Sequence, residues 1–364
     1  MRLRNGLISA GAFLILAWAM LAQAQRGGAA LTMPPVPGSL PAHKFEKVAE
    51  GVYFSTSTGS MNTGSNGAVI VNADDVLIVD PGITPAAARA FIADVKTLTN
   101  KPVKYVVDTH YHYDHAFGNQ VFGPDVTLIG HDMTRRHLMS NVLQQRTYQT
   151  NGVGAIATTF TRLRDQIAKA ADPKEKAVLE RQLAIHQAYA DDQKNIKPTP
   201  PTTTLTNDLT LHRGGREIQI RFLGRAHTDG DVVVFLPRER IVATGDMITN
   251  GLSYTGDAFV QEWPATLEKV MALDFDTVMP GHGAVFKGKD HIRNLQAYWR
   301  DFYTQASDFC KRKVPPEQAA KQIDLTKHAA AIPAIPTEVV VRDRRYRGEE
   351  LVQKFAAVGV RSLW

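Results

Sequence analysis

The sequence predicts an α/β fold, and three observations carry that prediction. Short apolar runs alternate with longer stretches whose apolar residues recur at helical spacing. Gly, Pro, Asn and Asp bound the short runs, as they do where strands end in turns. Both halves follow one plan, strands and then a helix, with histidine-bearing loops at strand ends.

The chain opens on Arg2 and Arg4, followed by an apolar run over residues 7–21 and then Ala22-Gln23-Ala24. A run of about fifteen residues is short of the roughly 20 that span a bilayer. A positive start, an apolar stretch and small residues at a cleavage point predict a signal peptide over residues 1–24. The mature protein is therefore expected in the periplasm or secreted, with no stable membrane insertion after cleavage; an uncleaved membrane anchor is the alternative reading. Residues 25–44, rich in Gly, Pro and Ala, read as a tether, and structure is expected to begin near Phe45.

Residues 51–55 read as a short strand. Residues 56–67 form a Ser-, Thr- and Gly-rich loop. The runs 68–71 and 76–79, joined by Asn72-Ala73-Asp74-Asp75, predict a hairpin of buried strands. Residues 85–97 predict a helix, with Ala87, Phe91 and Val95 at i, i+4. Strands follow at 103–107 and 126–129, then a helix over 132–145. Residues 156–196 are charged, with Leu163, Ile167, Leu179 and Leu183 at helical spacing. Asp172-Pro173-Lys174-Glu175 in their middle looks like a capped helix start. They predict an inserted helical hairpin, either a surface elaboration or a lid. Strands resume at 209–211, 218–222, 232–236, 241–243 and 277–279. Helices are expected over 264–273 and 291–311, and a helical extension over 311–364. The main domain spans residues 45–310.

Composition narrows the function. The chain has 364 residues, 44% hydrophobic and 21% charged, with a net charge of +6. Its basic residues are dispersed, and the cluster Arg342, Arg344, Arg345, Arg347 is mixed with acids, so it reads as a solvated face and not a nucleic-acid site. The lone Cys310 can form no internal disulfide or zinc finger, and reads as a small apolar residue packed in a helix. No Gly-x-Ser-x-Gly elbow is present, which argues against a serine hydrolase.

The strongest chemical signal is Thr109-His110-Tyr111-His112-Tyr113-Asp114-His115, just past a buried strand. Neutral imidazole and carboxylate are good zinc ligands. In an extended loop His110 and His112 project to one side and can grip one ion. Asp114 and His115, after a turn, can reach a second. Four ligands cannot close two sites. Candidates downstream are His227, Asp246 and His282, each in a loop at a strand exit with glycine close by. His131, His137, His186, His212, His291 and His328 lack that setting and read as uninvolved. His43 falls in the tether.

The succession His-x-His-x-Asp-His, Gly-x-x-His-Thr-x-Gly-Asp, Thr-Gly-Asp and Pro-Gly-His-Gly resembles the metallo-β-lactamase superfamily over about residues 45–300. The resemblance implies a four-layer αβ/βα sandwich (the metallo-β-lactamase fold) with the site at one edge of two sheets. It implies that His110, His112 and His227 hold a first metal and that Asp114, His115 and His282 hold a second. Asp246 would bridge both, and Asp80 would brace the histidine loop. Two zinc ions per chain are expected, with iron or manganese as alternatives. Such a pair lowers the pKa of a shared water, and the hydroxide attacks a carbonyl. Asp114 is expected to orient it. The implied enzyme is an exported zinc hydrolase acting on an amide, ester or thioester of a small molecule.

β-Lactam opening is the leading specific expectation. Two departures count against it. The best-known zinc β-lactamases resemble this chain but carry cysteine where Asp246 stands, and a lysine where Thr249 stands. Arg225 or Asn250 could replace that lysine, while Tyr111 and Tyr113 would wall the site. The alternatives are a glyoxalase II-like thioesterase, a lactonase, or a non-hydrolytic iron oxidoreductase on the same fold.

Overall fold

Alternation along the strands sets the layers. The computed structural model describes residues 32–332 in full and the backbone of residues 338–341 and 344–347. The leader expected over residues 1–24 and the start of the tether lie outside the described residues.

The first sheet contains β1 (His43–Ala49), β2 (Val52–Ser57), β3 (Gly67–Val71), β4 (Val76–Val79), β5 (Val103–Val107), β6 (Thr127–His131) and β7 (Thr203–Leu205), in that order. Strands β1 to β4 form an antiparallel meander, and β4 to β7 pair in parallel. The second sheet contains β8 (Asp208–Arg213), β9 (Arg216–Phe222), β10 (Val232–Leu236), β11 (Ile241–Gly245), β12 (Thr277–Pro280) and β13 (Phe286–Lys287). Its one parallel pair is β11 with β12. A parallel pair needs a crossover. Helix α1 (Pro85–Val95) supplies it between β4 and β5. Two further helices, α2 (Tyr113–Ala116) and α3 (Asp132–Met139), flank β6.

In β3 and β4 the register pairs Ala68 with Val79 and Ile70 with Leu77. Those four side chains share one face and join Val107, Ile220, Val234, Ala243 and Met279 in a core between the two sheets. Their neighbours Val69, Val76 and Ile78 face outward onto Phe91 and Val95 of α1. The second sheet divides the same way. Val233, Phe235, Val242 and Val278 turn outward onto Trp263, Leu267, Leu295, Trp299 and Phe302. The result is helix, sheet, sheet, helix, the four-layer αβ/βα sandwich.

The insertion lies between β6 and β7. It comprises α4 (Gly154–Lys169), α5 (Pro173–Asp192) and, before them, a wide turn over Tyr148–Val153. Asp172 caps α5 by accepting from Lys174 N at 2.9 Å, with Pro173 in the first turn. Tyr148 and Tyr189 seat the insertion on Tyr113, Phe117 and Leu138.

Several expectations are corrected. Structure begins at His43, where the tether was expected, because Asp94 on α1 accepts from Ala42 N and His43 N at 2.8 Å each. The helix expected to reach residue 145 ends at Met139, with Ser140 N closing onto Arg136 O and His137 O. Cys310, expected to be packed, is exposed on the last turn of α7 (Asp290–Lys311), which follows α6 (Trp263–Met271). The extension expected to be helical carries α8 (Pro316–Gln322) but also an antiparallel hairpin, β14 (Glu338–Val341) with β15 (Arg344–Arg347). The three valines of β14 and Tyr346 in β15 are residue types that favour a strand. No helix among the described residues is long and apolar enough to cross a membrane.

Candidate metal centre

The histidine loop is built on Asp80. This residue directly follows β4 with φ 55°, a left-handed conformation that Asp tolerates better than most side chains. Its carboxylate accepts from Thr109 N, Thr109 Oγ1 and His115 Nδ1, all at 2.8 Å. A proton on His115 Nδ1 leaves Nε2 free as a ligand atom. His112 is extended, with φ −61° and ψ 148°, and α2 begins at the next residue. That turn brings the His115 ring to within 4.2 Å of the His110 ring, centroid to centroid.

The second sheet supplies the other ligands. Asp231 braces the His227 loop by accepting from Thr228 N at 2.8 Å and Thr228 Oγ1 at 2.7 Å. Burial pushes Asp231 up to about 7, against those two bonds. Asp246 follows β11 and His282 follows β12. The close approach between loops requires glycine at two points. A Cβ on Gly245, whose φ is 51°, would lie 2.2 Å from Thr109 Oγ1. One on Gly281 would lie 2.2 Å from Asp246 Oδ1.

All seven candidate ligands converge. They form three overlapping groups: His110, His112, His227; His110, His115, Asp246; and Asp114, His115, His282. Within each group the ligand atoms lie within 4.8 Å of one another. His227 Nε2 is 2.9 Å from His112 Nδ1. His282 Nε2 is 3.2 Å from Asp114 Oδ2 and 3.4 Å from Asp246 Oδ2. Asp246 Oδ2 is also 3.7 Å from His227 Nε2, which places it between the two histidine sets.

The electrostatics match a cation site. Burial holds His110 well below the usual imidazole range, and its histidine neighbours add to the effect. Burial and then His112 push His227 down to about 3. Both rings are therefore neutral, the form that binds metal. Burial also opposes charge on His115, but Asp246, Asp114 and Asp80 outweigh it and raise that ring well above its usual range. His282 rises to about 10, burial again being outweighed, here by Asp246 and Asp114. Asp246 and Asp114 stay ionised despite burial because His282 and His115 face them.

Polar satisfaction supports the same conclusion. His110 Nε2 is buried without a hydrogen-bond partner. His115 Nε2 and Asp246 Oδ1 face each other at 3.3 Å without hydrogen-bond alignment. Buried polar atoms left unpaired are costly. Imidazole and carboxylate donors converging in this number suit two Zn²⁺ ions.

The expected substrate contacts fare differently. Tyr111 borders the site, its ring stacked on His137 at 4.0 Å and edge-on to His112 at 4.8 Å. Tyr113 turns away into the apolar cluster, against Phe117 and Tyr148. Arg225 pairs with Glu262 and lies over the Phe259 ring at 4.2 Å, so its charge is engaged there. Asn250 braces the His282 loop: its N donates to His282 O at 3.0 Å and its Nδ2 to Ala284 O at 2.9 Å. Thr249 is buried against Ser253. None of the last four supplies the cation that a lysine would.

Two supporting residues were missed in the sequence. Asp257 accepts from His112 Nε2 at 3.0 Å. Asn66 donates from N to Gly281 O and from Nδ2 to Gly283 O, both at 2.8 Å, tying the loop before β3 to the His282 loop. Asp257 follows glycine in Thr255-Gly256-Asp257, much as Asp246 does, and that repetition was its only sequence signal. Four of the histidines read as uninvolved have partners of their own: His131 with Met133 N, His137 with Asp229, His291 with Thr249 O and His328 with Asp301.

The chain belongs to the metallo-beta-lactamase superfamily, whose model matches residues 62–282. Two of its relatives are enzymes of different named activities. One is a linear primary-alkylsulfatase from Pseudomonas sp. (strain ATCC 19151), 22% identical over 71% of this chain and 49% of that protein. The other is a metallo-beta-lactamase type 2 from Bacillus cereus, 28% identical over 61% of this chain and 68% of that protein. The chain thus spans about half the length of the alkylsulfatase. A metallo-beta-lactamase structure from Pontibacter korlensis shares the fold, with TM-score 0.51, 18% identity, and coverage of 71% of this chain and 99% of that one.

Proposed function

We propose that this protein is a metal-dependent hydrolase that cleaves an amide- or ester-class bond of a small molecule at a two-zinc centre. The observation that carries the reading is the convergence of seven buried or half-buried ligands into overlapping sets. His110, His112 and His227 would hold the first ion. Asp114, His115 and His282 would hold the second, with Asp246 between them.

Bound zinc supplies Lewis acidity and a lowered pKa for water. The rest is the work of side chains. Asp114 presents an ionised carboxylate to orient the attacking water and hold its proton. Asp80 and Asp257 fix the rings of His115 and His112 by accepting from the nitrogen each does not offer to metal. Tyr111 forms one wall.

β-Lactam opening is the leading specific reading, and the similarity to the Bacillus cereus enzyme supports it. A sulfate ester is the second reading, supported by the alkylsulfatase match. We also propose export, with cleavage near Ala24. A hydrolysis panel on the zinc-loaded mature protein, set with β-lactams, alkyl sulfates, lactones and glutathione thioesters, tests the substrate. His112→Ala or Asp114→Ala should abolish turnover with the fold retained by circular dichroism. Full activity in either variant would refute the proposal.

A further inference from the structure

Asp257 carries a second bond that the hydrolase reading does not use. Its Oδ2 accepts from His112 Nε2 at 3.0 Å and also from Thr147 Oγ1. Thr147 belongs to the inserted segment. It is buried and leads directly into the wide turn Tyr148–Val153. Its hydroxyl oxygen lies 3.3 Å from the Tyr254 hydroxyl. Thr147 has one proton to give. Once that goes to the carboxylate, the Tyr254 hydroxyl becomes the donor to Thr147.

The need for this bond follows from where Asp257 sits. It lies in the irregular segment between β11 and α6, with no helix or strand of its own to hold it. Its carboxylate is half-exposed, while the ring it braces is buried. A side chain on such a segment orients a ligand only as well as it is itself held. The residue after Thr147 is anchored firmly: the Tyr148 ring meets Phe117 at 5.2 Å and Tyr113 at 5.6 Å.

We propose that Thr147 is a positioning residue for the first metal site, acting through Asp257 on His112, so that docking of the inserted helices and metal binding stabilise each other. The coupling is reciprocal by thermodynamic necessity: what strengthens the metal site also tightens the insertion. This rests on the two-zinc reading above. It makes the insertion part of the metal centre's support, in place of the lid or surface elaboration weighed from the sequence.

The test uses the full mature chain with Thr147→Val, which keeps the shape and removes the hydroxyl, and Thr147→Ser, which restores it. Zinc affinity is read by chelator competition, and hydrogen exchange over residues 148–192 is read with and without zinc. Wild-type protein should bind two zincs and show slower exchange in that segment when loaded. Thr147→Val should lose about 10- to 100-fold in affinity at one site, the range for lost outer-shell partners, and its exchange should no longer respond to zinc. Thr147→Ser should recover both. Unchanged affinity and zinc-dependent exchange in Thr147→Val would overturn this inference alone. So would wild-type exchange indifferent to zinc, a result that needs no variant. Wild-type protein that binds no zinc would overturn the two-zinc reading and this one with it.

Discussion

Asp80 shows how much a single side chain can decide. Its left-handed backbone turns the carboxylate back toward the histidine loop, where it accepts three hydrogen bonds. Asp80→Ala leaves Thr109 N–H and His115 Nδ1–H buried without their acceptor, at a cost of about 1–3 kcal/mol each. It also frees the His115 ring to rotate. Zinc affinity at the second site should fall about 10- to 100-fold. Asp80→Asn, which tolerates the same backbone and keeps one acceptor oxygen, should fall between. Zinc stoichiometry after dialysis, with thermal unfolding alongside, checks the order; an alanine variant that retains two tight zincs would contradict it. Gly245→Ala should be at least as damaging, because its new Cβ would meet Thr109 Oγ1 and the residue would keep a positive φ.

At the scale of elements, the inserted hairpin carries a pH dependence of its own. His186 on α5 is buried, and burial, with Arg162 adding to it, pushes the ring down to about 4. An unfolded histidine titrates near 6.5. Below that pH the unfolded chain takes up a proton that the folded one refuses. Stability therefore falls as pH drops from about 6.5 to about 4, and levels off below. At 1.36 kcal/mol per unit, the loss reaches at most about 3 kcal/mol. His186→Leu removes this dependence while keeping an apolar filling. Denaturant unfolding of both proteins between pH 7.5 and 4.5 should show their stability difference narrowing or reversing in favour of the leucine variant. Parallel curves would mean that His186 is not what the pH acts on. The same hairpin illustrates the limits of periodicity. Leu163 is buried as its spacing suggests, whereas Val178, His186 and Tyr189 fill the α5 seam and Leu179 and Leu183 are only half-buried.

Across the whole molecule, the ligands come from both sheets. His110, His112, Asp114 and His115 follow β5, while His227, Asp246 and His282 follow strands of the second sheet. Bound metal would therefore clamp the two halves at one edge of the sandwich. A ligand that binds only the folded state stabilises it by RT ln(1 + [L]/Kd), about 4 kcal/mol when free zinc is a thousandfold above Kd. Chelator should lower the melting temperature by several degrees, and added zinc should restore it. A melting temperature indifferent to both would show that the halves are not joined through metal.

Much of this was legible in the sequence by itself. Strand alternation, glycine-bounded turns and histidines at strand exits depend only on neighbours along the chain, and they determined the α/β class and all seven candidate ligands. What lies across the sheets was decided by the tertiary structure. Asp257 reaches His112 over 145 positions, Asn66 reaches Gly283 over 217, and Thr147 meets Asp257 over 110. Tyr113 and Arg225, placed at the site by proximity in sequence, were drawn instead to an apolar cluster and to Glu262. The physical reason is common to both lists: local spacing sets which way a backbone turns, whereas a side chain's partner depends on which distant segment packing brings within about 3 Å of it.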